Sequence, residues 1–122
     1  MRRRVYLFIL LEEMADGTSI GTSELLILLA LMRLGEDAYG VPIAREIEET
    51  SGRVIALASV YATLDRLEDK GFVVSELGEP TAERGGRAKK YFTITGKGVS
   101  EVRAAKRSLT KLWKGLPQLG GA

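Results

Sequence analysis

The stretch ASVYATLDRLEDKGFVVSEL, Ala58 to Leu77, decides the fold. At about 100° per residue, Val60, Leu64 and Leu67 fall within a narrow arc, the core stripe of a helix that Gly71 ends. FVVSEL, residues 72–77, is then β-prone. The helix turns Ser59, Ala62, Thr63, Arg66, Asp69 and Lys70 to its other side. Ser59 suits the N-cap or the first turn, so the front of that outer face carries only small or neutral side chains, with an arginine one turn later. A helix that enters a DNA groove requires that combination: Arg66 to reach guanine, Thr63 or Ala62 to touch a thymine methyl, Lys70 to meet phosphate. The plainer reading is a solvated face, to which Asp65, Glu68 and Asp69 lend weight. Tyr61 stands at the edge of the stripe, where it either packs or offers its hydroxyl to a phosphate.

Downstream, KYFTIT at residues 90–95 alternates Tyr91 and Thr93 against Phe92 and Ile94. The intervening GEPTAERGGRAK is rich in turn formers, so the two β-prone runs pair as a hairpin with a long tip. Arg84, Arg87, Lys89 and Lys90 surround Gly85 and Gly86, which let a backbone approach a sugar-phosphate chain closely. A nucleotide-binding loop does not fit. GGRAKK matches neither of the glycine-rich phosphate patterns, and a strand follows it where those loops open a helix. A basic loop without a partner is the plainer reading. Thr95 caps a last helix, Gly96 to Leu116, whose Val102, Ala105, Leu109, Leu112 and Leu116 keep three- and four-residue spacing. Two heptads cannot hold a coiled coil alone, so this seam, with Trp113 as a packing residue, is expected to close a dimer. Arg103, Lys106, Arg107, Lys111 and Lys114 flank it, and a partner's Glu46, Glu48 and Glu49 are candidate counterparts.

Upstream, the polar pair Ser23–Glu24 precedes LLILLALMRL and Gly35, a helix apolar on all sides. Such a helix must be covered all round, and a small chain offers too little protein to do it. A second subunit is the natural cover, with Leu25, Leu28 and Leu29 in the interface. VPIAREIEETSG gives a second, shorter helix with a narrow stripe of Ile43, Ala44 and Ile47, Pro42 sitting in its first turn. Residues 1–20 form an arm of undetermined order. Its arginines and apolar run imitate a signal peptide, but Glu12 and Glu13 stand where a cleavage site would be. The longest apolar run, Leu25 to Met32, is far short of the roughly 20 residues that span a bilayer, so neither a membrane nor export is expected and the protein is read as cytoplasmic.

With 122 residues and 45% hydrophobic content the chain makes one small globular domain. Its net charge of +2 hides a strong asymmetry: residues 1–83 hold eight Lys/Arg against fifteen Asp/Glu, residues 84–122 ten against one. A basic C-terminal third indicates a polyanionic partner, or else two faces of opposite sign that attract across a dimer. No Cys or His is present, which removes thiol nucleophiles, Ser-His triads and imidazole or thiolate metal sites. No constellation of the remaining residue types suggests an enzyme, and neither cofactor nor metal is expected.

The order helix, helix, helix, hairpin, helix is that of a winged helix-turn-helix, a mostly α (α+β) fold. Three pieces are more specific: AYG at the start of the second helix, VYATLDRLEDKG, and ERGGRAKKYFTITGKG. Together they resemble the PadR family of transcriptional regulators over about residues 20–115. The commonest family form has proline at the place of Ala62. The resemblance implies a bacterial repressor that binds double-stranded DNA as a homodimer, with a C-terminal helix that exchanges contacts with the other subunit; the single helix here looks like the short class of the family. It also implies room for a small-molecule inducer between the C-terminal and N-terminal helices, where Trp113 and Tyr6 stand out. The expected organisation is an arm (1–20), a winged-helix DNA-binding domain (21–95), a dimerisation helix (96–118) and a tail (119–122). The alternative is a winged-helix module that binds protein and uses its basic third only to dimerise.

Overall fold

Among residues 20–80 and 88–119, which the computed structural model describes, the apolar stripes fold into four α-helices around a two-stranded sheet. Helix α1 is Thr22–Leu34, α2 Gly40–Ser51 and α3 Leu57–Asp69; strands β1, Val73–Leu77, and β2, Lys90–Ile94, follow, and α4 is Gly96–Trp113. The arm at residues 1–19 with Tyr6, the wing-tip residues Arg84, Gly85, Gly86 and Arg87, and residues 120–122 lie outside the described residues.

Glycines and one threonine set the ends. Gly35 and Gly71 adopt positive φ, 63° and 81°, where a side chain would be strained. After Gly71 the chain folds back, with the Phe72 amide donating to the Leu67 carbonyl at 2.9 Å, a Schellman-like end that throws Phe72 into the core. Thr95 caps α4 as its side chain accepts from the Gly98 amide at 3.1 Å. One expected cap is replaced: Gly21 is the N-cap of α1, with Ser23 and Glu24 inside the first turn. Ala56, which has no capping side chain, precedes α3, so of its two expected places Ser59 takes the one inside the first turn.

The core gathers Ile27, Leu28 and Leu31 of α1, Ile43 and Ile47 of α2, Val60, Leu64 and Leu67 of α3, Phe72 and Val73, Phe92 and Val102. At roughly 1.5–3 kcal/mol for each large apolar side chain buried, this cluster is the main source of stability. The strands pair antiparallel with Val73 opposite Ile94 and Ser75 opposite Phe92, so the Phe92 face looks inward and Val74 and Thr93 look out. The Ala38 carbonyl accepts from the Phe92 amide at 2.8 Å, fastening the segment between α1 and α2 to the free edge of β2.

Helix α4 is buried only at Gly98 and Val102. Its C-terminal half leaves Leu109, Leu112 and Trp113 exposed at 49%, 76% and 42%. The helix stops at Trp113 rather than Leu116, because Lys114 turns extended and Gly115 takes φ 83°, and a short 3-10 turn, Pro117–Leu119, follows. No helix among the described residues is long and apolar enough to cross a membrane.

Candidate nucleic-acid interface

Helix α3 presents Ala58, Ser59, Tyr61, Ala62, Asp65, Arg66 and Asp69 to solvent. Small side chains at the front leave this surface low enough for a groove floor to approach. Tyr61 does not stand free: its hydroxyl and ring lie against Gly40, where a Cβ would collide with them. Glycine at that position is what lets α2 and α3 close on each other, and the tyrosine is fixed with over a third of its surface still open.

Two members of the expected outer face are placed otherwise. Thr63 is buried at 3%, its Oγ1 accepting from Arg66 Nη2 at 3.0 Å, so it belongs to the core side and cannot meet a base. Three residues after Val60 and four before Leu67, it lies on the stripe's flank, and only its polarity suggested the outside. Lys70 is committed to Glu24 at 2.7 Å, an ion pair that joins the start of α1 to the end of α3. Burial pushes the Glu24 carboxyl up, but hydrogen bonds from Lys70 and the Gly21 amide, with the charges of Lys70 and Arg66, outweigh it and hold the group below its ordinary value.

The wing is fastened to α3 through Glu68. Its carboxylate accepts from Ser75 Oγ at 2.6 Å and lies 3.9 Å from Lys90 Nζ. On the other side of β2, Tyr39 meets Tyr91 edge-on, centroids 5.5 Å apart, and Lys89 Nζ sits 4.5 Å from the centre of the Tyr39 ring. Tyr39 entered the sequence reading only within AYG, as the start of the second helix, and was given no role at the site. The alternation of Lys89 and Tyr91 against Lys90 and Phe92 was the signal that could have pointed to a second lined face. Among the described residues no group of three Asp, Glu, His or Cys could hold a metal.

The expected dimer residues divide as well. Leu28 is fully buried in its own core and cannot meet a partner, and Val102, 7% exposed, reaches the surface only as the floor of a groove. Leu25, Leu29, Val102, Leu109 and Trp113 line that groove between α1 and α4, with a volume of about 530 Å³. Ala105 is half-buried, while Leu112 and Leu116 are exposed beyond it. Glu46, expected to face a partner's cations, is bonded to Arg33 of its own chain at 2.9 Å.

Residues 27–104 match the Transcriptional regulator PadR-like family. Among solved structures, a PadR family transcription regulator from hypervirulent Clostridium difficile is 26% identical, the match covering 83% of this chain and 100% of that one with a TM-score of 0.66. A transcriptional regulator from Clostridium thermocellum is 28% identical over 74% of this chain and 86% of that one, TM-score 0.60. A PadR-like transcription factor from Bacteroides fragilis is 26% identical over 84% and 90%, TM-score 0.61. No curated protein matches the chain.

Proposed function

The chain belongs to the PadR-like family of transcriptional regulators, and from that premise we propose that it is a repressor that grips a near-palindromic operator as a homodimer. DNA binding follows from the family; the repressor role, the dimer and the contacts are the proposal. The observation that carries it is the exposed α3 face, small at Ala58, Ser59 and Ala62, with Arg66 behind and the wing base beside it. Ser59, Ala62 and Arg66 read base edges, Tyr61 stands at the rim against a phosphate, and the wing cations Arg84, Arg87 and Lys89 follow the backbone, Gly85 and Gly86 letting it come close. Residues 21–95 make the DNA-binding unit.

The dimer rests on the second half of α4. Leu109, Leu112, Trp113 and Leu116 are too much apolar surface to leave in water, and the α1–α4 groove with Leu25, Leu29 and Ala105 continues it. Burying those four side chains contributes on the order of several kcal/mol. Two copies of α3 then lie in successive major grooves roughly 34 Å apart, and transcription is blocked by occupying the promoter. The groove has the size of a small-molecule site, and an inducer seated there changes the spacing of the two α3 helices.

The test is a titration of the duplex upstream of the chain's own gene at rising salt, with the mass of the complex measured alongside. Two protomers per duplex and an affinity that falls steeply with salt are expected. Absence of binding at low salt overturns the reading and leaves a winged-helix module that binds protein.

A further inference from the structure

The two wing cations within the described residues leave β2 in opposite directions. Lys90 follows the Phe92 side, 5.5 Å from that ring's centre, with the Glu68 carboxylate 3.9 Å away. Lys89 goes to the Tyr91 side, where its ammonium donates to the Tyr39 hydroxyl at 3.3 Å and sits 4.5 Å from the centre of the same ring. Tyr39 is itself held by the edge of Tyr91. Among the described residues no carboxylate forms an ion pair with Lys89. A π face attracts an ammonium but does not cancel its charge, so Lys89 is a half-buried cation fixed in direction, with no carboxylate paired to it among the described residues. Its surroundings point to which anion. Tyr39, which holds Lys89, directly precedes Gly40, against which the Tyr61 hydroxyl and ring of α3 lie, so one short segment links the wing base to the proposed DNA-binding helix.

We propose that Lys89 is the wing-base contact to a DNA phosphate, that Tyr39 is the residue that positions it, and that Lys90 serves the fold by holding the wing to α3. This rests on the DNA-binding reading above. A lysine in solution loses much rotamer freedom when it clamps a phosphate. Here the tyrosine has already confined the ammonium before DNA arrives, so less freedom is lost on binding.

The experiment is a double-mutant cycle on the full chain with the upstream duplex, reading affinity against salt and thermal melting for every variant. Lys89→Ala is expected to lower the salt slope by about one unit per protomer, and Lys90→Ala to leave the slope unchanged. Tyr39→Leu is expected to weaken binding roughly three- to tenfold when Lys89 is present, and to have no further effect in the Lys89→Ala background. Tyr39→Phe, which keeps the ring and loses only the hydroxyl, gives a smaller loss with the melting temperature retained, so the inference does not depend on the leucine variant folding. An unchanged slope in Lys89→Ala, or a Tyr39→Leu loss that is equal with and without Lys89, overturns it. Failure of the unmodified chain to bind DNA instead overturns the repressor reading, which separates the two.

Discussion

Gly40 shows how one missing side chain shapes the motif. A methyl there meets the Tyr61 ring and hydroxyl, so Gly40→Ala is expected to destabilise the protein by about 1–3 kcal/mol in chemical denaturation. Most of that loss should vanish when Tyr61→Ala is added, and full additivity would contradict the contact. Arg66 lies along α3 with its guanidinium on Thr63. To reach a guanine it gives up one hydrogen bond to a neutral hydroxyl, a small cost against a bidentate contact. Arg66→Ala is expected to lose about 1–3 kcal/mol on the operator and much less on scrambled DNA; equal losses on both would reassign it to the backbone. Glu24 sets a pH dependence. Its carboxyl is held below the ordinary 4.5 in the folded state, so its contribution is present above that value and fades as pH falls through it and below. The melting temperature should drop between about pH 5 and pH 3, and Glu24→Gln should melt lower at neutral pH with a shallower acid limb. Parallel acid limbs in the two proteins would refute this. Val60, Leu64 and Leu67 were legible because stripe and polarity agree. Thr63 and Lys70 were not, since a buried hydroxyl and a committed ammonium depend on partners, Arg66 and Glu24, that only folding brings close.

At the scale of elements, the boundaries came through where chemistry marks them: Gly35, Gly71 and Thr95 each end or begin a helix within a residue of the expected place. The end of α4 did not, because the apolar seam runs on to Leu116 while the backbone breaks at Gly115. Nor did the phase of α1, since a helix apolar all round carries no periodic signal to say that Leu28 faces in and Leu29 out. The placing of the wing against α3 could not be foreseen either, for it depends on Glu68 joining Ser75 and Lys90 across two elements. These groups are half open to water, so the bond adds little stability. Its effect should appear as order: Glu68→Ala is expected to leave the melting temperature within a few degrees while amide exchange in residues 73–77 and 90–94 speeds up several-fold. Unchanged exchange in both strands would remove Glu68 from that role.

At the scale of the molecule, charge asymmetry and exposed apolar surface point to two kinds of partner, nucleic acid and a second copy. The polyanion was readable from composition, because charge adds along a chain wherever it folds. The apolar surface proposed for a dimer was readable only in outline, since Leu28 and Val102 lie in the core while Leu109, Leu112 and Trp113 form the exposed row. Leu112→Glu, the most exposed of that row, is expected to shift the mass at micromolar concentration from dimer to monomer and to leave each protomer folded. A dimer that persists would move the interface elsewhere. The bond from the Phe92 amide to the Ala38 carbonyl reaches back across most of the fold, and its consequence concerns birth rather than function. On the ribosome the first three helices can gather as they emerge, because their contacts are local. The side of the core that Phe92 fills stays open until β2 has emerged and paired with β1, so a chain whose hairpin has yet to close leaves Phe72 and Val73 uncovered. A slow closure leaves an open core for chaperones to shield, which makes the pairing of the hairpin the step that governs how safely this protein is made.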